Sequence, residues 1–367
     1  MFGNIYNGKR VLVTGHTGFK GSWLTTWLLS LGAEVCGISK DIPTSPSMFE
    51  VLDLENKINH NIADVRDLDS ISIIINSFRP DFLFHLAAQP IVSLSYSDPI
   101  ETISSNVMGT ANILQVLRSY DQKCRAVIIT SDKCYENVEW VWGYKESDHM
   151  GGKDIYSASK GAAELIFKSF QRSFFSDNNG NVTLATGRAG NVIGGGDWAQ
   201  DRIVADCMRA WSESNKVEIR CPDATRPWQH VLEPLSGYLA LGQALLTKPQ
   251  INGEQYNFGP RAEQNHTVKD LLSDLSKFWN FKTEEDAYTI TGNIPFNEAG
   301  LLKLNCDKAL AHLNWEATLE YSECIKYVSE WYYKFYNSQE NMFNFTMAQI
   351  TSYQDSAKLK RLLWTRE

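Results

Sequence analysis

The sequence carries no pattern that would hold a disulfide framework or a metal. Its seven cysteines, Cys36, Cys124, Cys134, Cys207, Cys221, Cys306 and Cys324, are odd in number and scattered. None of their spacings suits a metal, so no metal is expected and a reducing compartment fits. Basic charge is also scarce, with 35 Lys and Arg against 43 Asp and Glu, a net charge of −8. Nucleic-acid binding needs a basic stripe. The one basic cluster, Lys358 to Arg361, reads as a solvated helix face. No apolar run approaches the ~18 residues of a membrane span, and no leader pattern precedes the first strand. Internal repeats, low-complexity stretches and obvious linkers are missing too. The expectation is a cytoplasmic protein with neither nucleic-acid nor membrane partners.

What is present is apolar material for a core of its own. The chain has 367 residues, 43% of them hydrophobic, which suggests about two domains, or one with a lobe. Short branched runs alternate with helical periodicities. Val11–Val13, Glu34–Ile38, a run ending at Ile62–Asp64, Phe82–Leu86, Ala126–Thr130 and Val182–Arg188 read as strands. Trp23–Leu29, Leu68–Phe78, Ile100–Leu117 and Tyr156–Phe174 read as helices. This alternation predicts an α/β fold, a doubly wound parallel (Rossmann) sheet with helices on both faces. Past residue 190 the pattern breaks up. Strands at Val217–Arg220, Gln255–Phe258 and Leu302–Asn305 mix with helices at Leu232–Leu246, Val268–Trp279 and Tyr321–Phe335. The expected organisation is a dinucleotide-binding domain over 1–190 with a return near 230–260. A smaller mixed α/β substrate lobe would take 191–229 and 261–335, leaving a tail at 336–367 without an assigned role.

Between the first strand and the first helix stands Gly15-His16-Thr17-Gly18-Phe19-Lys20-Gly21. Glycines belong where the turn is tight, where a pyrophosphate nears the backbone and where helix packs on strand. The helix N-terminus then offers free N–H groups and partial positive charge to the phosphates. Gly15, Thr17, Gly18, Phe19 and Gly21 are therefore candidate dinucleotide ligands. The acidic residue that usually reads the adenosine ribose should end the second strand, but Ser39 stands there. Asp41 is displaced, and Lys40 could suit a 2′-phosphate, so local sequence does not choose between NAD and NADP. Asp64 and Val65, at the end of the third strand, lie where adenine would sit, although Asp64 could equally be a helix cap.

Tyr156 and Lys160 are spaced i and i+4, so on a helix they share one face. A free phenol titrates near ~10. A neighbouring ammonium and a cationic nicotinamide both favour the phenolate, which could take a hydroxyl proton as hydride leaves the same carbon. Lys160 could also hold the nicotinamide ribose. Ser131-Asp132-Lys133 follow the fifth strand, at the end where ligands bind in open α/β sheets. A hydroxyl, an acid and a potential base there point to chemistry beyond hydride transfer.

The chain resembles the extended short-chain dehydrogenase/reductase superfamily and, within it, the CDP-glucose 4,6-dehydratases. The stretches that carry this are VTGHTGFKGSWL, FHLAAQP, NVMGT, ITSDKCYEN with WGYKESD, YSASK, RAGNVIGGGDWAQDRIV and RPWQHVLEPLSGYL, with NFGP and LKLNCDKA beyond. The resemblance implies NAD as cofactor, a nucleotide-linked glucose as substrate and a homodimer. It implies that Tyr156 deprotonates the 4-hydroxyl as hydride passes to NAD. Water is then lost across C5 and C6, and hydride returns to C6. Related dehydratases carry a glutamate base where Lys133 stands. An ammonium cannot accept a proton, so a base at Lys133 requires burial or nearby positive charge. The reading makes Lys133 the base and Asp132 the acid. Ala87, Ala88, Gln89 and Asn106 match the cofactor-lining segments. Gln89, Asn191, Arg202, Arg226 and His230 match substrate-binding stretches, where an arginine could pair a diphosphate. Two rivals remain, a sugar-nucleotide epimerase or reductase of the same fold and a non-catalytic dinucleotide sensor.

Overall fold

The computed structural model describes residues 1–366 apart from 179, 262, 280, 282 and 292–299. Seven parallel strands make the main sheet: β1 (Arg10–Thr14), β2 (Glu34–Ser39), β3 (Asn59–Ile62), β4 (Phe82–His85), β5 (Cys124–Ile129), β6 (Val182–Ala189) and β7 (Gln255–Phe258). Their spatial order is β7-β6-β5-β4-β1-β2-β3. The chain reverses direction across the sheet between β1 and β4, which opens the crevice where ligands of such folds lie.

Alternation along each strand sends side chains to two separate cores. On β1, Val11 and Val13 join one apolar cluster and Leu12 the other. The Leu12 face is covered by α2 (Leu68–Phe78), α3 (Gly109–Arg118) and α4 (Ile155–Phe174) through Ile71, Ile75, Ile113, Leu117 and Phe167. The other face takes α1 (Phe19–Ser30), α6 (Leu232–Thr247) and the lobe. The lobe contributes α5 (Ile203–Ser212), α7 (Tyr321–Asn337) and several two- and three-residue strands.

Three elements differ from expectation. The helix expected over Ile100–Leu117 is interrupted. A helix at Pro99–Ile103 gives way to a π-helical turn over Ser104–Met108 before α3 begins. Such turns redirect a side chain without ending the helix, and here the redirected residue is Asn106. The strand expected over Leu302–Asn305 does not form; Leu304 makes a single bridge to Tyr144. Leu302 is buried with Cys134, Tyr135 and Tyr144, so its apolarity serves a small cluster rather than a ladder. The segment after residue 336 forms α8 (Met342–Leu359), which packs on α1 with the Trp27 and Tyr353 rings 5.6 Å apart. No helix among the described residues is long and apolar enough to cross a membrane.

Candidate active site

Gly15 takes φ +74°, and a Cβ there would lie 2.8 Å from the Ala87 amide nitrogen. At Gly21 a Cβ would meet the Gly15 carbonyl at 2.0 Å. Both positions therefore require glycine. Gly18 is the N-cap of α1 and no side chain caps the helix, so its first N–H groups face the cleft unpaired. That cradle fits a dinucleotide pyrophosphate. Thr17 and Phe19 stand in the same turn. The Thr17 amide donates to Ser39 Oγ at 3.3 Å, and its hydroxyl donates to the Asp41 carbonyl at 2.7 Å.

Ser39 is tied inward. Its Oγ lies 3.0 Å from His16 Nδ1, and His16 Nε2 lies 2.7 Å from His60 Nδ1. Burial, with His60 adding to it, lowers the His16 imidazole to about 4. Nearby, Lys40 reaches Glu101 at 2.9 Å, and Arg66 bonds both Asp64 and Glu101. Hydrogen bonds from Arg66 hold the Asp64 carboxyl below its ordinary range. Val65 is buried against Gly109, where a Cβ would come within 2.7 Å of Val65 Cγ2.

On the other side of the crevice, Thr14 Oγ1 fixes the end of β4 by accepting from the Ala87 amide at 3.1 Å. Ala88 follows, and then Gln89, whose amide N–H donates to Asn106 Oδ1 at 2.8 Å. Asn106 Nδ2 reaches the Ser159 hydroxyl on α4 at 2.9 Å. The π turn thus ties the β4 loop to the helix that carries Tyr156. The Gln89 side chain is engaged within the protein, donating to Thr102 Oγ1 at 2.8 Å and accepting from the Ile91 amide at 2.5 Å.

Ser131, Asp132, Tyr156 and Lys160 converge. Ser131 and Asp132 both act on the Tyr156 phenol, and Ser131 Oγ donates to Asp132 Oδ1 at 2.9 Å. Lys160 Nζ sits 5.7 Å from the Tyr156 ring centroid. Asp154 caps α4 by accepting from the Ser157 amide at 2.8 Å, which sets where the tyrosine begins the helix. Burial pushes the phenol up to about 12, more than the neighbouring Ser131 hydroxyl lowers it. The expected phenolate-favouring shift is thus outweighed within the protein alone. Burial also lowers Lys160 to about 8. Asp132 is raised by burial against the opposing pull of Lys133, Ser131 and Lys20. Lys133 is half-buried, and its backbone amide donates to Ser131 Oγ at 3.2 Å. Gly190 makes room for Asp132, since a Cβ there would lie 2.1 Å from Oδ2. Asp132 and Gly190 border a cavity toward the lobe, with Gln229, Gly259, Arg261 and Lys303 on its other walls.

The remaining substrate candidates divide. Arg202 pairs with Asp197 at 2.8 Å and acts electrostatically on Tyr156, so it reaches the catalytic end. Asn191, at φ +29°, accepts the Gln229 amide through its carbonyl at 3.2 Å. Arg226 is half-buried, and its guanidinium donates to the Thr225 carbonyl at 2.9 Å. His230 does not reach the cleft. It is fully buried with its ring edge-on to Trp23 at 5.6 Å and against Tyr327 at 5.4 Å. Its Nδ1 accepts the Leu232 amide at 3.3 Å, and burial lowers it to about 3. Lys20, Gly190 and Asp197 belong to the site and were not among the expected residues. Lys20 had a visible signal. A lysine in the first turn of a helix opposes the helix dipole, and here it faces Arg202, Asp132, Lys160 and Asp197.

The sequence matches the GDP-mannose 4,6 dehydratase family over residues 12–328. A CDP-glucose 4,6-dehydratase of Salmonella typhimurium is 45% identical over 95% of this chain and 97% of its own length. A dTDP-glucose 4,6-dehydratase of Haemophilus influenzae is 24% identical over 88% of this chain and 97% of its own. In fold, the chain is similar to a UDP-glucuronic acid 4-epimerase of Bacillus cereus solved with UDP-glucuronic acid and NAD. The TM-score is 0.74 at 21% identity, covering 89% of this chain and 99% of that one. By the length of the family match and the closeness of the Salmonella relative, this chain belongs to the nucleotide-sugar 4,6-dehydratases of the extended short-chain dehydrogenase/reductase superfamily.

Proposed function

We propose that the chain converts CDP-glucose to CDP-4-keto-6-deoxyglucose, with NAD reduced and reoxidised within each cycle, as a step toward deoxysugars of surface polysaccharide. The observation that carries this reading is the buried acid beside the tyrosine. Ser131 Oγ donates to Asp132 Oδ1, and both residues act on the Tyr156 phenol. An epimerase or reductase needs the tyrosine and Lys160 but no acid at position 132. The 45% identity with a relative of that name supports cytidine as the nucleotide.

Bound NAD supplies a hydride acceptor that returns the hydride later in the cycle. The chain's residues do the rest. The glycine turn and the N–H groups of α1 hold the pyrophosphate, and Ala87, Ala88 and Asn106 line the path to the nicotinamide. NAD fits better than NADP. Lys40 and Arg66, the cations near the adenosine ribose, are already claimed by Glu101 and Asp64. Tyr156 takes the 4-hydroxyl proton, Lys160 holds the nicotinamide ribose, Asp132 serves the departing 6-hydroxyl and Lys133 removes the C5 proton. Arg202 and Arg226 serve the substrate's oxygens and diphosphate. Ile100, Met108 and Leu165, exposed at 72, 53 and 56%, give a homodimer its apolar face. Seven unpaired cysteines fit a cytoplasmic location.

The test is to incubate the protein with CDP-, dTDP-, GDP- and UDP-glucose separately, with either cofactor, and to identify products. The reading requires a 4-keto-6-deoxy product from CDP-glucose with NAD. Replacing Lys133 by Met leaves C4 oxidation in place and blocks solvent exchange at C5. Full exchange in that variant would remove Lys133 from its role.

A further inference from the structure

Under the dehydratase reading, on which this inference rests, the sugar's 6-oxygen must come within hydrogen-bond reach of Asp132, the acid that protonates it as it leaves. Asp132 Oδ1 is taken by the Ser131 hydroxyl at 2.9 Å. Its Oδ2 faces Gly190, where a Cβ would lie 2.1 Å away. Asp132 and Gly190 border a recess of about 10 Å³, room for roughly one water-sized group. A recess of that size admits one oxygen of a sugar and not the ring that carries it.

A second polar group on the recess wall lacks a partner. Gln229 is 2% exposed. It stands on a two-residue strand, Gln229–His230, held parallel to Val192–Ile193. Its Nε2 has two protons to give, and both are given. One goes to the Gly190 carbonyl at 3.0 Å and the other to the Phe258 carbonyl at 3.1 Å. Two carbonyl acceptors fix which end of the amide is nitrogen. Oε1 is therefore held as the other end. It is buried and, among the described residues, receives no hydrogen bond. The polar neighbours across the recess are engaged elsewhere. Gln264 donates to Glu320 at 2.8 Å, and Arg261 pairs with Glu316 at 3.4 Å and Glu320 at 3.7 Å. A buried amide oxygen left without a donor is costly, and folded proteins supply one from chain, water or ligand.

We propose that Gln229 is a further substrate-touching residue, whose Oε1 accepts the hydrogen bond of the sugar's 6-hydroxyl and then one from the water that this hydroxyl becomes. A hydroxyl has one proton to donate and two lone pairs. Donating to Oε1 leaves a lone pair to face Asp132, ready for the acid's proton. A donor in place of Oε1 would occupy that lone pair instead. In the elimination the C5–H electron pair becomes the C5=C6 bond and its proton goes to the base. The C6–O pair leaves on the oxygen, which takes the Asp132 proton. The water so formed has two protons and meets two acceptors, Oε1 and the carboxylate just restored. Hydride then returns to C6 and a proton to C5. Gly190 sets the distance between the two acceptors, since it lies against Asp132 Oδ2 on one side and holds the Gln229 amide by its carbonyl on the other.

The experiment measures binding to the whole protein loaded with NADH, which cannot accept a hydride, so no ligand is turned over. Calorimetry gives dissociation constants for CDP-glucose, CDP-6-deoxyglucose and CDP-6-deoxy-6-fluoroglucose. The fluorine fills the recess but has no proton to donate. Wild type should bind CDP-glucose at least about tenfold more tightly than either analogue. Gln229→Met, which keeps the length of the side chain and removes the acceptor, should lose that preference to within about twofold. A preference that survives in Gln229→Met overturns the proposal, because the hydroxyl is then read by another group. The fluoro comparison needs no variant and stands even if Gln229→Met does not fold. Wild type binding the fluoro analogue as tightly as CDP-glucose also overturns the proposal and leaves Oε1 to an ordered water. A wild-type protein that forms no 4-keto-6-deoxy product from any nucleotide-linked glucose with NAD overturns the dehydratase reading instead.

Discussion

Two buried carboxylates flank the ends of β5 and β6, and they have been given opposite surroundings. Glu164 accepts from Thr130 Oγ1 at 2.6 Å, Thr186 Oγ1 at 3.1 Å, and Arg188 Nε and Nη2 at 2.8 Å each. Burial alone would raise its carboxyl, but the charge of Arg188 and these bonds outweigh it and lower it. Arg188 is itself fully buried, with Nη1 donating to the Tyr135 hydroxyl at 2.7 Å. Among the described residues, Asp132 accepts one side-chain hydrogen bond, from Ser131, with a backbone bond from Lys133, and burial raises its carboxyl. A carboxylate with its lone pairs filled has no use for a proton and acts as a brace. One left short of donors in the same kind of interior can take a proton and give it back. The difference between scaffold and site here is hydrogen-bond supply, not depth.

Breaking the brace should have the largest effect. Arg188→Met leaves Glu164 charged, buried and without its ion partner, and should cost about 3–5 kcal/mol in denaturant unfolding. A smaller loss than that of an exposed pair would show that water reaches Glu164. Crowding the site comes next. Gly190→Ala drives a methyl into Asp132, so kcat should fall far more than stability, which should drop by ~1–3 kcal/mol. Equal losses in both would mean that Gly190 serves packing alone. The two carboxylates should also answer pH with opposite signs. Glu164 has a lowered folded value, so its contribution is present above the unfolded value and lost as pH falls through the folded one. Asp132 has a raised folded value, so its burial cost is absent in acid and grows as pH rises through the unfolded value. Glu164→Gln should therefore be less stable than wild type at pH 8, by a gap that closes only as pH falls below the unfolded glutamate value of ~4.3. Asp132→Asn should be more stable than wild type at pH 8, by a gap that has already closed when pH falls to the unfolded aspartate value of ~3.9. The smallest effect is Thr186→Val, which removes one of four donors and should cost ~1 kcal/mol.

The parts legible in the sequence were those set by local spacing. The glycine turn, the Tyr156–Lys160 pair and the apolar strands each rest on residues within one turn or one ladder. The π turn was not legible, because apolar residues continue across Ser104–Met108 at near-helical spacing while the backbone adds a residue. His230 sits in a stretch that resembles a binding motif, but its place against Trp23 and Tyr327 is decided by helices far away in sequence. Helix α8 was obscure because its buried face includes Thr346, Gln349 and Tyr353 beside Ile350 and Ala357, which blurs the apolar stripe. The contrast between Glu164 and Asp132 was invisible for the same reason. The donors that fill Glu164 come from Thr130, just past β5, and from Thr186 and Arg188 on β6, and only folding assembles them.

The loop that carries Arg202 rests directly on the helix that opens with the glycine turn. Trp23 Nε1 on α1 donates to the Gly195 carbonyl at 2.9 Å, a Cβ on Gly194 would lie 3.0 Å from the Phe19 ring, and one on Gly195 would overlap Trp331 at 2.0 Å. With Arg202 on the substrate and the glycine turn on the dinucleotide, as proposed above, the spacing between the two seats is thereby built into the free chain and need not be created on binding. Much of the entropic cost of bringing the two reactants into register is then met at folding, so turnover should respond little to solvent viscosity.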